Sequence, residues 1–157
     1  MKRVKKTMDE FHFEIAHTIA KDGRQIIGVI PDRKHAGFAY TIGNHSKGVP
    51  ELLLIGNFAP ENIKWVLNDI SDRLIKRGKP FDNGSTVDLG GKHPLMVWNC
   101  TEVAKSEFLI QAGEYFGHSD YLVQQVVIPD PQGRWPDDIL CHKDYRVPLL
   151  KRIEVLH

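Results

Sequence analysis

Apolar residues return along this chain at two spacings, and the spacing changes several times. From Met8 to Ala20, Phe11, Ile15 and Ile19 recur every four positions, which predicts a helix; Asp9 and Glu10 suit its positive N-terminal end. Lys21 and the Asp22-Gly23 turn close it, because glycine accepts the left-handed backbone that ends helices. Gln25–Ile30 is rich in β-branched residues and halted by Pro31, as a strand is. The polar turn Asp32–Gly37 then leads to a second strand, Phe38–Ile42, and the two form a predicted hairpin. Glu51–Ile55 is apolar at nearly consecutive positions, which predicts a strand covered on both faces.

The clearest helix runs from Pro60 to Arg77. Ile63, Val66, Leu67, Ile70 and Leu74 form one stripe, proline suits the first turn, and Lys76-Arg77-Gly78 is a fitting end. Lys64, Asp69, Asp72 and Arg73 fall mostly off that stripe and read as a solvated face. Residues 79–92 read as a glycine-bearing loop with one short strand around Thr86–Leu89. Pro94–Val103 reads as a strand carrying Trp98, and Ser106–Phe116 as a short helix with Phe108, Leu109, Ala112 and Phe116 on one face. Tyr121–Ile128 is the strongest strand, Pro129–Gly133 a turn, and an edge segment is expected near Leu149–Val155.

Strands outnumber helices, and the first three follow one another without the helix that parallel neighbours require. The order therefore predicts an α+β domain: a curved, largely antiparallel sheet, open or barrel-like, with about three helices packed on it. A doubly wound α/β sheet is the weaker alternative. The 157 residues make one domain, 1–157, with a flexible basic start over 1–7 and a tail over 140–157 packed on the rest.

Composition narrows the function classes. With 41% hydrophobic and 26% charged residues the chain is globular in type, and a net charge of +1 carries no nucleic-acid or membrane-surface footprint. No apolar run approaches the ~20 residues that span a bilayer, and the basic start lacks the apolar core of a secretion signal, so a cytoplasmic protein is expected. Cys100 and Cys141 stand alone, without a CxxC partner, and read as free thiols; Cys100 reads as a small core residue. No phosphate loop, dinucleotide fingerprint or nucleophile elbow occurs, so no cofactor is predicted and no motif supports a nucleotide or flavin. None of the eight histidines stands at metal-binding spacing on a helix, and no metal is expected.

The candidate chemistry gathers at strand ends. In Thr41-Ile-Gly-Asn-His45 the glycine permits an unusual backbone angle that can turn Asn44 and His45 towards a cleft beside Tyr40 and Thr41. His45 is then a candidate acid or base, with Asp32 or Glu51 as its orienting partner; the plain alternative is a hydrogen-bonded turn. Gln124 and Gln125 interrupt an apolar strand on opposite faces, so a buried amide must bind backbone or present itself to a ligand. Arg134 beside Trp135 suits an anionic or planar ligand, although such a pair more often closes a loop over the core. The expected cleft unites Tyr40, Thr41, Asn44, His45, Gln125 and Arg134, with the strands around positions 40 and 125 as neighbours.

Gly28-Val-Ile-Pro-Asp32, Phe38-Ala-Tyr-Thr-Ile-Gly43, Pro50-Glu-Leu-Leu-Leu-Ile-Gly56 and Gln125-Val-Val-Ile-Pro-Asp130 carry a resemblance over roughly residues 10–140. In these motifs and their order the chain resembles the largely bacterial domain of unknown function 4262 family. It departs from the family pattern at Gly133-Arg-Trp-Pro-Asp137 and at Asn44-His45. The resemblance implies a single cytosolic domain and transfers no catalytic residue. Three functions stay open: a small-ligand-binding or interaction domain of bacterial or phage type, a hydrolase or transferase using His45 as general base, and a protein-partner role such as toxin immunity or interference with a host system. The expected partner is thus a small molecule or a protein.

Overall fold

A computed structural model describes residues 7–152, and the basic segment expected to be flexible lies, but for Thr7, outside them. Helix α1 (Met8–Asp22) opens on a reciprocal cap, in which Thr7 Oγ1 accepts the Glu10 N–H and the Glu10 carboxylate accepts the Thr7 N–H. Strands β1 (Gln25–Val29), β2 (Phe38–Ile42) and β3 (Glu51–Ile55) follow, then α2 (Pro60–Arg77), β4 (Ser85–Val87), β5 (Leu95–Asn99), α3 (Ile110–Phe116) and β6 (Val123–Val127).

The six strands form one open sheet in the order β1-β2-β3-β6-β5-β4, so the barrel-like variant is set aside. All pairs are antiparallel except β3 with β6. That parallel pair is reached by a long crossover through α2, β4, β5 and α3, the kind of connection parallel neighbours need. It also corrects the expected adjacency of positions 40 and 125. Tyr40 pairs with Leu53, and Leu53 with Gln125, so β3 stands between them and both side chains share one face.

Both faces are covered. On one, Val66, Leu67, Ile70 and Leu74 of α2 pack on Ala39, Leu52, Leu54 and Val126. On the other, Ile15 of α1, Ala112 of α3 and Leu109 pack on Tyr40, Ile42, Leu53, Ile55 and Val123. β3 is therefore buried at every position, as its unbroken apolar run requires.

The helix expected over 106–116 is two pieces. Ala104–Phe108 makes one wide turn, closed by Leu109 N–H to Ala104 C=O at 2.9 Å, and α3 starts afresh after it. The wide turn keeps both Ala104 and Leu109 inward, which a continuous helix five residues apart would not. Near the C-terminus the expected edge strand is reduced to a single bridge, Cys100 with Lys151, and residues 153–157 lie outside the described range.

Candidate functional site

Glu51 organises the loop between β2 and β3. Its side chain is fully buried, and Oε1 accepts the Thr41 hydroxyl at 2.7 Å and the Asn44 N–H at 3.1 Å. Oε2 accepts the N–H groups of Gly43 at 3.0 Å and His45 at 3.1 Å. Burial pushes the carboxyl above its ordinary value, against the downward pull of these four bonds. Gly43 makes the wrap feasible: its φ is 135°, and a Cβ there would stand 2.8 Å from the Gly23 carbonyl oxygen. Glu51 thus holds the main chain of His45, and its oxygens do not reach the ring.

The neighbouring polar groups are spoken for in the same way. Asn44 donates to Ser71 Oγ on α2 at 2.9 Å and accepts from Arg24 Nε at 3.2 Å. Arg24 also donates to Asn68 at 2.9 Å and Asp72 at 2.7 Å. Thr41 Oγ1 accepts the Leu52 N–H at 2.9 Å, and Tyr40, its hydroxyl pushed up to about 12 by burial, accepts the Gln111 N–H at 3.3 Å. These are fastenings between β2, β3, α2 and α3, and among them Tyr40, Thr41, Asn44, Glu51 and Ser71 are exposed by 1% or less. They line no cleft.

The other candidates divide similarly. Gln125 donates to the Pro148 carbonyl at 2.7 Å and accepts the Leu150 N–H at 2.8 Å, latching the C-terminal segment to one face of the sheet. Gln124 does the same on the opposite face, bonding both polar main-chain groups of Phe81 and the Asn99 side chain. Both amides bind backbone, the plainer of the two expected outcomes. Arg134 donates to the Leu140 carbonyl at 3.1 Å, closing the 130–142 loop around Asp130. Desolvation pushes the Asp130 carboxyl up, but the N–H groups of Arg134, His142 and Gln132 outweigh it and hold it below its ordinary value.

Asp32 is corrected as a partner of His45. It lies in the β1–β2 loop beside Val29 and Phe38, whereas His45 follows Ile42 at the far end of the same strand, about 17 Å away for five residues. Asp32 instead bonds the His35 main chain and faces its ring at 3.2 Å. The main-chain N–H bonds of Lys34 and His35 hold its carboxyl below the usual value.

His45 does open onto a hollow. Its ring packs edge-on against Phe116 at 5.3 Å and His118 at 5.6 Å, with Tyr121 at 6.2 Å. Here, at the N-terminal end of β6, lies a cleft of about 360 Å³ lined by His45, Val49, Lys105, Asp120, Tyr121 and Leu122. A second hollow of about 600 Å³ adjoins it on the α3 side, and Lys105 and Tyr121 line both. Lys105 Nζ donates to the Ser119 carbonyl at 2.6 Å and stands 4.9 Å over the Tyr121 ring. The Tyr121 hydroxyl is buried and has no hydrogen-bond partner among the described residues. Burial pushes it up to about 12, with the fields of Glu51 and Glu102 adding to that, so it stays an O–H donor. It faces Gly113, whose absent side chain leaves room: a Cβ there would meet only this hydroxyl, at 3.9 Å.

Sequence reading missed Lys105, Tyr121 and Gly113. The available signal was the polar Gly117-His-Ser-Asp120 turn feeding an aromatic residue into the strongest strand. Cys100 is a buried free thiol pushed up to about 12 by burial, and supplies no nucleophile. No cluster of three or more histidine, cysteine or acidic side chains suited to a metal occurs among the described residues. No helix among them is long and apolar enough to cross a membrane.

Residues 18–142 match the family described as Domain of unknown function (DUF4262), and the chain belongs to it. No curated protein and no solved structure matches the chain.

Proposed function

We propose that this domain binds a small molecule in the two adjoining hollows that Lys105 shares, on the floor made by Tyr121. The observation that carries the reading is the Tyr121 hydroxyl, a buried donor without an acceptor beneath two adjoining hollows. Leaving such a group unpaired costs about 1–3 kcal/mol. A ligand oxygen entering past Gly113, on the wall of the second hollow, would offset that cost, and both hollows fall in the ~300–1,000 Å³ range of small-molecule sites. The cleft differs from the one expected from sequence, of which His45 alone remains. An enzymatic role for His45 has less support, since among the described residues no carboxylate is hydrogen-bonded to its ring.

The test is a thermal-shift screen of the full chain against nucleotides, flavins and common metabolites, repeated on Gly113→Leu. A hit that raises Tm for the native chain and loses that effect in Gly113→Leu supports the cleft. A screen without any stabilising compound, or hits indifferent to the substitution, would sink it. Tyr121→Phe adds a second readout: stability unchanged or raised without ligand, affinity lowered with it.

A further inference from the structure

Among the described residues, Lys105 is the one lysine or arginine lining either hollow. Its side chain is only 17% exposed, and the Ser119 carbonyl and the Tyr121 ring hold its ammonium in one place. An ammonium has three protons to give, and the Ser119 carbonyl takes one. Its acidic neighbour is Glu102, 3.5 Å away on a side chain that is 72% exposed. Such a pair is long and solvated, so it is a weak hold on a fixed cation.

The walls beside that cation are apolar. Val49 is buried, while Leu122 (63% exposed) and Val103 (39%) stand on the rim. The acids nearby, Glu102 and Asp120, set a limit on ligand charge: repulsion from two carboxylates grows with each negative charge on the ligand, which favours one over two. The phosphate dianion is therefore disfavoured, and so is a purely apolar compound that would bury the ammonium without an anion.

We infer that the cleft, on the ligand-binding reading above, takes a small monocarboxylate whose carboxylate replaces Glu102 on Lys105 and whose apolar body lies along Tyr121, Val103 and Leu122. Glu102 is then a built-in competitor for the site. Freeing Lys105 of it tightens binding, an effect opposite in sign to the usual loss on removing a site residue.

The experiment titrates the full chain, at fixed ionic strength, with hexanoate, phenylacetate and benzoate, each against its neutral amide, and with inorganic phosphate. At least one carboxylate is expected to bind and raise Tm, while its amide and phosphate do not. Glu102→Gln should tighten the carboxylate about two- to fivefold, the worth of an exposed ion pair, and Lys105→Met should weaken it about tenfold or more. If Lys105→Met fails to fold, the Glu102→Gln and amide arms still decide. Equal binding of amide and carboxylate, an unchanged or weaker Glu102→Gln, or silence from every carboxylate overturns the inference. Amides that bind and are lost in Gly113→Leu would leave the cleft standing without its carboxylate preference. Carboxylates that bind equally well to Gly113→Leu sit elsewhere, and both readings then fall.

Discussion

Replacing Glu51 by glutamine keeps the shape of the side chain and changes only which atoms can accept hydrogen bonds. In the native loop two carboxylate oxygens serve four donors: the Thr41 hydroxyl and the N–H groups of Gly43, Asn44 and His45. A carboxamide has one acceptor oxygen. Its best placement gives that oxygen to Gly43 and His45 and turns the NH2 towards Thr41 and Asn44. Thr41 Oγ1 already accepts from Leu52 N and Asn44 Nδ2, so it gains a crowded third donor. The Asn44 N–H then faces another N–H with no acceptor. One orphaned buried donor and one weakened hydroxyl bond cost about 1–3 kcal/mol each, and relief from burying a charge returns part of it. The expected net loss is about 2–4 kcal/mol, a large share of the ~5–15 kcal/mol that holds a domain of this size. Urea unfolding followed by tryptophan fluorescence and circular dichroism reads it as a lower midpoint at unchanged slope. A loss under about 1 kcal/mol, or a gain, would mean that the loop does not depend on this carboxylate.

Asp130, whose native carboxyl is held low by three N–H bonds, contributes stability that is present above the ordinary carboxylate range and lost as pH falls through its native value. The Tm gap between the native chain and Asp130→Asn should therefore narrow as pH falls below about 4; parallel curves would contradict the assignment. Gly113→Ala should stabilise by about 0.5–1 kcal/mol, because it removes a helix-interior glycine and its Cβ meets nothing closer than 3.9 Å; a lower Tm would show that the space is not free. Gln125→Ala should speed hydrogen exchange at Leu150, whose N–H loses its acceptor, and at Thr101, which bonds the Leu150 carbonyl, while the β3 amides keep their protection. Uniform acceleration across the sheet would show that the latch is not local.

Most of the elements were legible because burial imposes its period on the sequence. The stripe of α2 and the unbroken run of β3 were each read from one segment, since each meets its covering layer along its whole length. Pairing depends on what lies between segments, and it was read less well. Nothing local to residues 40 or 125 records that β3 stands between them, because the crossover joining β3 to β6 spans α2, two strands and α3. The wide turn at 104–108 escaped for a similar reason: apolar residues at 104 and 109 fit no single period until both are needed inward.

The same distinction explains why polar residues at strand ends misled and why the cleft was missed. Thr41, Asn44, Glu51, Gln124 and Gln125 look like a site because each is a polar group at a position the sheet buries. A buried polar group must be paired, however, and the surest partners are main-chain groups of loops that the strands have to hold anyway. Conspicuous polarity in a strand is thus a signature of fastening first, and here every one of these side chains is hydrogen-bonded within the chain itself. A binding group must retain unspent capacity. Lys105 and Tyr121 do so, yet in sequence they are an ordinary lysine before a serine and an aromatic residue at the start of a strand. What marks them is the hydrogen bond not made and the side chain absent at Gly113, and both are properties of three segments brought together. A site of this kind becomes visible only when the bonds of each buried group have been accounted for in space.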